Sequence, residues 1–441
     1  SPRDVSPLRL PSPADYAEGF REQFTRAVAV NMRSAYPIGS MLSGGLDSSS
    51  VTAAARSLTN GEPLHTYSVI YPQTPESDER EFIQPVIDQG GLIPHFIDGN
   101  AQSTLVMLQE PHLAANLFMT QHAYAQAERD GVRVVLDGLD GDTTLSHGLG
   151  CLPEFLHRGD WSGFESTMEK VRANSDKHQP FSRSLYYQTA VYPCLAHYLR
   201  GGRLDKVVWL AQHVHESNGD SYRHLLMRQT LFNALPYRLQ WTYRRLRDPK
   251  QFRKPYKLFN ADFLRASLPH LRRREAELRP LLAPLNAAAE HAALIRNGAI
   301  ALTNELADQI AGRFSIEARH PFFYTPLVEY CLSLPCEVRL VEGISRWVMR
   351  ESMRGLLPDS VRMRIHKTDL SYSFDHSFYT LDLNEQAKNT LRDSALLGDY
   401  VDTAAVQAMI AETTERPDVN NPVGYHLWAL LLLEHWLRVK S

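Results

Sequence analysis

Apolar and polar positions follow two periods along the first 140 or so residues. Short apolar runs at Ile38–Leu42, Leu64–Ile70, Ile93–Ile97 and Val132–Leu136 have the length of buried strands. Runs with helical spacing separate them: Ser49–Leu58, Asp78–Asp88 and Asn116–Arg129. Ahead of these, Tyr16, Phe20, Phe24, Ala27 and Val28 share one face of a helix for which Asp15 is the expected cap. Strand alternating with helix predicts an α/β fold whose parallel sheet is covered on both faces. Ligands of such sheets sit beyond the C-terminal ends of the strands.

From Cys151 onward the strand signal fades. Leu204–Val214, Arg223–Asn233, Pro284–Arg296 and Ala299–Ala311 read as helices, and Gly343–Leu357 continues the pattern. Val423–Val439 is apolar on most sides, as a buried closing helix is. The expected division is a proline-rich linker over 1–13, an α/β nucleotide-binding core over 14–150, a mostly helical insertion or substrate region over 151–298, and a helical part over 299–441 that completes the domain. No internal repeat is visible.

Composition narrows the class. With 441 residues, 43% hydrophobic and 22% charged, the chain reads as a soluble globular protein. Lys plus Arg is 47 and Asp plus Glu is 50, a formal charge of -3, so nucleic acid is not the expected main partner. The longest apolar stretch, around Leu427–Leu433, is too short to span a bilayer, and the polar start is no signal peptide. Cys151, Cys194, Cys331 and Cys336 show no CxxC spacing, so neither a zinc site nor a disulfide framework is expected and a cytoplasmic location fits.

The chemistry concentrates in Ser43-Gly44-Gly45-Leu46-Asp47-Ser48-Ser49, between an apolar run and a helix. A strand, a glycine turn and a helix start make an anion site: glycines let backbone N–H groups approach phosphate, and the helix N-terminus adds unpaired donors. Asp47 would repel a bare phosphate, so it implies Mg²⁺ between carboxylate and polyphosphate. No Gly-Lys-Ser/Thr ending follows, which excludes a Walker loop. The second segment, Val134 to Thr143, ends a β run in Gly138, Gly141 and the aspartates Asp137, Asp140 and Asp142. Alone it reads as a solvated Asp-rich turn; beside the glycine loop, Asp142 becomes a second candidate ligand for Mg²⁺.

Together these motifs resemble the synthetase half of the asparagine synthetase B family, which is similar in architecture to β-lactam synthetases and lasso-peptide macrolactam cyclases. The resemblance runs from about Pro11 to the C-terminus and is weakest between Cys151 and Ala299. SGGLDSS matches the pyrophosphate loop, Asp78-Glu79 an acidic pair after the second strand, and Glu317-Ala318-Arg319-His320-Pro321-Phe322 the E-x-R-x-P-F segment. Gly343 to Arg350, Leu357-Pro358 and Arg364-Ile365-His366-Lys367 match the closing motifs.

The resemblance implies a parallel sheet of the ATP-pyrophosphatase type (PP-loop, adenine nucleotide alpha hydrolase-like) with a mostly helical C-terminal half. It also implies ATP and Mg²⁺ as cofactors. ATP and pyrophosphate would be held by Leu42, Ser43, Gly44, Gly45, Asp47, Ser48, Ser49, Ile70 and Gly138, and the metal by Asp47 and Asp142. Lys367, with Arg364 and Asp142, would serve catalysis, Lys367 by neutralising charge as pyrophosphate leaves. Arg346 and Arg350 are either phosphate or substrate contacts or salt bridges of a helical domain, while Glu317 and Arg319 are expected to form a structural ion pair.

Two departures matter. Asparagine synthetases carry a glutamate where this chain has Leu139, and β-lactam synthetases a tyrosine; leucine cannot exchange a proton, so Asp140 or His147 is left as the replacement. The chain also opens in what resembles the interdomain linker, without the N-terminal cysteine of a glutaminase. Ammonia from glutamine is therefore not expected from this polypeptide, and a glutaminase-like half would be a cleaved or separate chain. The expected function is an ATP-dependent amide ligase that adenylates a carboxylate and condenses it with an amine. Leu139, the Gly343–Asp369 segment and the LWALLLLEHWLR end are similar to lasso-peptide macrolactam cyclases, with a precursor peptide and its processing proteins as partners. An asparagine synthetase-type small-molecule ligase and a non-catalytic nucleotide-binding scaffold are the alternatives. The Arg-rich, aromatic stretches Tyr237–Lys257 and His270–Arg279 keep a tRNA-modifying role as a remote option.

Overall fold

The computed structural model describes residues 6–101, 119–174, 182–219, 221–247, 257–282, 285–366, 368, 370–380, 383–392, 394–415 and 423–441. Strands β1 (Ile38–Met41), β2 (Leu64–Ile70), β3 (Leu92–Asp98), β4 (Val134–Leu136) and β5 (Glu317–Arg319) form one parallel sheet in the order β3-β2-β1-β4-β5. The first four occupy the expected runs, with ends shifted by one or two residues. β5 was not expected: Glu-Ala-Arg has no strand pattern, and it is held by backbone pairing, Val134 opposite Glu317 and Leu136 opposite Arg319. Central β1 buries Ser40, whose hydroxyl is satisfied by Thr52 at 2.9 Å. Gly39 carries no Cβ because a Cβ there would lie 2.6 Å from the Tyr67 ring.

Helices cover both faces. α1 (Pro13–Asn31), α2 (Leu46–Leu58) and α3 (Arg80–Ile87) lie on one, and α4 (Thr120–Arg129) and the C-terminal helices on the other. Tyr16, Phe20, Phe24, Ala27 and Val28 are all buried, as their spacing predicts. The cap of α1, however, is Ser12 and not Asp15. Pro13 fixes the first helical residue, and Asp15 closes a capping box, its carboxylate accepting the Ser12 N–H at 2.8 Å. The first residues of the expected helix Asn116–Arg129 lie outside the described ones, as does Pro284; the helix after it runs Ala287–Arg296, capped by Asn286.

Gly343–Leu357 differs from the expected helix. It opens with a hairpin, Leu340–Val341 against Ile344–Ser345, before the helix Trp347–Ser352. Glu342 and Gly343 both have positive φ, 51° and 74°, the backbone of a tight hairpin turn. The closing helix, Val423–Lys440, is buried through Leu427, Trp428 and Leu431, against Phe374 and Phe378. A third cluster spans helices between Leu152 and Leu225. In the Arg-rich stretches, Trp241 is buried under the Arg272 guanidinium, 3.5 Å from the ring centroid, so part of the basic–aromatic pattern is helix-to-helix packing. Residues 248–256 of the first stretch lie outside the described ones. Among the described residues no helix is long and apolar enough to cross a membrane.

The cysteine expectation is corrected. Cys151 and Cys336 form a disulfide across 185 residues, joining the start of the helix Leu152–Arg158 to the helix Cys336–Arg339. Short-range spacing has no bearing on a bond that tertiary packing makes. Cys194 and Cys331 are free and buried.

The disulfide closes a long loop, so Cys336→Ser lowers unfolding free energy by about 2–4 kcal/mol in urea titration. Thiol counting under denaturing, non-reducing conditions gives two thiols per chain and four after reduction; four without reductant would refute the bond.

Candidate active site

The glycine loop leaves β1 and enters α2 at the C-terminal edge of the sheet. Leu42 is buried and extends β1, its N–H donating to the Tyr67 carbonyl at 2.9 Å and its carbonyl accepting from Ser68 Oγ at 2.6 Å. Gly44 has φ 71°, and a Cβ there would meet Phe82 at 2.8 Å, so glycine alone fits. Ser48 Oγ accepts the Ser43 N–H at 3.1 Å and bonds Ser43 Oγ at 2.8 Å, and the Gly45 N–H donates to Ser43 Oγ at 3.4 Å. Ser49 Oγ is buried without a partner. Ile70 ends neighbouring β2, opposite Asp98 of β3.

The acidic turn lies directly on this loop. It leaves β4 and enters α5 (Gly141–Leu145). A Cβ on Gly138 would stand 2.4 Å from the Ser48 nitrogen, and one on Gly141 would stand 2.8 Å from the Asp47 carboxylate. Both glycines are thus required by close approach rather than by turn geometry. Asp140 takes a left-handed φ of 54°, which aspartate tolerates better than most residues. The Leu139 N–H donates to Asp137 Oδ1 at 3.0 Å, and Thr143 Oγ1 donates to Asp140 Oδ1 at 3.1 Å.

Of the two replacements considered for an acid/base at position 139, His147 is half-exposed with Nε2 3.7 Å from Asp142 Oδ2. Asp140 is half-buried, and burial raises its pKa, as do Asp142 and Asp137, against Thr143 and His320. Sequence reasoning assigned His320 no role. Its Nδ1 lies 2.7 Å from Asp137 Oδ1, and its buried Nε2 has no partner. Burial lowers its pKa, but the Asp137 carboxylate, with Asp308 and Asp140, outweighs that and raises it. A histidine just past a strand end, between Arg319 and Pro321, was the available signal.

Cations converge from the C-terminal part. Arg346 Nη1 donates to both Asp47 oxygens, at 2.6 and 2.7 Å, and is almost wholly buried. Its backbone has a φ of 54°, and its Nε is buried without a partner. Arg364 clamps the loop: it donates to the Gly44 carbonyl at 3.1 Å, pairs with Glu79 at 2.8 Å and lies 3.8 Å over the Phe82 ring. Arg350 instead donates to the carbonyls of Ser345, Arg362 and Arg364, a structural role. Glu317 and Arg319 form the expected ion pair at 2.8 Å. Lys367 lies outside the described residues.

A buried network props α5 from behind. Glu290 accepts from Ser146 Oγ and the Gly150 N–H, each at 3.0 Å. His291 Nε2 donates to the Thr144 carbonyl at 2.7 Å, and its Nδ1 accepts from Arg339 Nη1 at 2.9 Å, which fixes a neutral tautomer. Arg339 also donates to the carbonyls of Cys331 and Leu334. The one sequence signal was a Glu-His pair inside an otherwise apolar helix. Both Asp47 oxygens are taken by Arg346, and Asp142 follows the glycine that packs on that same carboxylate.

His291 is pushed down to about 3, first by burial and then by Arg339, against the Thr144 and Thr143 carbonyls. Unfolded, an imidazole takes up its proton near 6.5. The unfolded chain therefore binds more protons between these values, and stability falls as pH drops from about 6.5 toward 3. His291→Gln shallows that slope in urea titrations run across the window; an identical slope would show that His291 does not stay neutral.

The comparisons agree with this geometry. The family model described as asparagine synthase matches residues 19–438. A curated protein named as a putative glutamine-hydrolysing asparagine synthetase 2, from Methanocaldococcus jannaschii, is 44% identical over 62 residues, 14% of this chain and 12% of that protein. With its glycine loop, acidic turn and five-stranded parallel sheet in one family match covering most of its length, the chain belongs to the asparagine synthase family.

Proposed function

We propose that the chain is an ATP-dependent, AMP-forming amide ligase, and that it acts as a peptide macrolactam cyclase of the lasso type. The observation that carries the first part is the seating of the acidic turn on the glycine loop, with Gly138 against Ser48 and Gly141 against Asp47. Backbone N–H groups at the start of α2 bind the polyphosphate. Asp47 and Asp142 hold Mg²⁺, which neutralises charge on the triphosphate. Arg346, released from Asp47, contacts the phosphates. Lys367 neutralises the leaving oxygens, the role the family resemblance gives it.

A substrate carboxylate attacks the α-phosphorus, the bond to pyrophosphate breaks, and an acyl-adenylate forms. The amine then attacks the activated carbonyl, loses a proton, and AMP departs as the amide forms. The protein mainly positions the reactants and stabilises charge.

Leu139 supports the peptide reading: the position is apolar, and its N–H is spent on Asp137. An amine carried on the same peptide as the carboxylate is supplied without ammonia. The 62-residue similarity to a protein named as a glutamine-hydrolysing asparagine synthetase favours a second reading, a small-molecule amide ligase using ammonia. A precursor peptide losing one water by mass spectrometry supports the first reading. Aspartate-dependent pyrophosphate release with ammonia, and none with peptide, supports the second.

Asp47→Asn and Asp142→Asn each abolish Mg²⁺-dependent pyrophosphate formation while circular dichroism stays unchanged; retained activity would remove the metal assignment. Lys367→Ala slows turnover by about a hundredfold or more with ATP affinity preserved, as loss of a donor to developing charge does. Normal turnover would take Lys367 out of the chemistry.

A further inference from the structure

A second polar cluster lies away from the glycine loop, toward the N-terminal ends of the strands on the face covered by α4. His65 near the start of β2, His95 on edge strand β3 and Asp130 just after α4 each offer a ligand atom, and these atoms lie within 4.8 Å of one another. We propose that His65, His95 and Asp130 bind a divalent transition metal of the zinc class, with water completing the coordination, and that the ion staples β3 to β2 and to the α4–β4 turn.

The donor set suits such an ion. Two imidazoles and a carboxylate are borderline ligands, favoured by zinc and its neighbours over magnesium or calcium. His65 Nδ1 lies 3.1 Å from His95 Nε2. Two nitrogens bound to one tetrahedral zinc at about 2.0–2.1 Å each stand about 3.3 Å apart, so the spacing suits a shared ion once the proton between the rings is lost and they turn toward it. The rings are also pre-oriented. His65 and His95 stack at 5.2 Å, and Tyr67 stacks on His95 at 5.0 Å.

Asp130 is oriented by a second layer of donors. Tyr67 Oη donates to its Oδ2 at 3.1 Å, and Gln126 Nε2 to its Oδ1 at 3.1 Å. Its Oδ2 lies 3.3 Å from His95 Nδ1, and one of its oxygens is within 4.8 Å of the ligand nitrogens of both histidines. His95 and Asp130 keep about a fifth of their side-chain surface exposed, 20% and 18%, which leaves an entry path and room for water.

The test is calorimetric titration of Zn²⁺ into the chelator-treated, untagged chain. Excess Mg²⁺ is present to occupy the carboxylates at the other end of the sheet. One zinc per chain is expected, with a rise in Tm that needs no nucleotide. His65→Gln and His95→Gln each abolish that binding and the Tm rise, with unchanged circular dichroism as the folding control. Asp130→Asn weakens binding by about tenfold or more. Unchanged zinc binding in the His65→Gln/His95→Gln double variant would place the ion elsewhere and overturn the assignment. So would the absence of any zinc binding by the parent chain, leaving a hydrogen-bonded His-His-Asp chain and nothing more. Neither outcome bears on amide ligation, because the residues are separate from the glycine loop.

Discussion

Four carboxylates, Asp47, Asp137, Asp140 and Asp142, lie on the loops that leave the adjacent parallel strands β1 and β4, and the charge they gather shapes what surrounds them. Left in water they would disperse. Here Gly138 and Gly141 let one turn lie on the other with no side chain between them. Such closeness is tolerated only if the charge is answered. Arg346 answers Asp47, His320 answers Asp137, and Asp140 is shifted by burial toward its neutral form.

The answering charges come from far along the chain. Arg346 is 299 residues from Asp47, and the Arg364 contact with Gly44 spans 320. The site is therefore complete only when the C-terminal part has packed on the sheet. β5, Arg339 and the Cys151–Cys336 bond tie that part to the acidic turn from three directions. Closing such long loops costs chain entropy that the packing must offset. A buried Arg–Asp pair contributes little net stability, because both charges lose water, but breaking it strands a buried charge. The pair thus acts mainly as a positional restraint.

What could be read from the sequence follows from periodicity. β1 to β4, the buried face of α1 and the closing helix announce themselves because burial repeats along them. The glycine loop is legible because few backbones other than a strand–turn–helix need those residues in that order. β5 is not, since three residues held by backbone pairing carry no pattern. The disulfide and the His291–Arg339 network were invisible for a related reason: each depends on tertiary neighbours that no local spacing encodes. The cap of α1 was missed by three residues because Asp15 and Ser12 both belong to one capping box, and only the position of Pro13 separates their roles.

The three aspartates of the acidic turn have different surroundings. Asp137 is committed twice, to the His320 ring at 2.7 Å and to the Leu139 N–H at 3.0 Å. Asp140 is held partly buried, and its pKa is raised first by that burial. His320, with its pKa raised, retains a proton to higher pH than an ordinary imidazole and offsets part of what remains. Asp142, one-third exposed in the first turn of α5, lies 3.7 Å from His147 Nε2 and stands next to the glycine that packs on Asp47. Leucine at position 139 fits this arrangement, since a further acid there would add charge to a turn that already spends a histidine and a buried carboxyl on containing it.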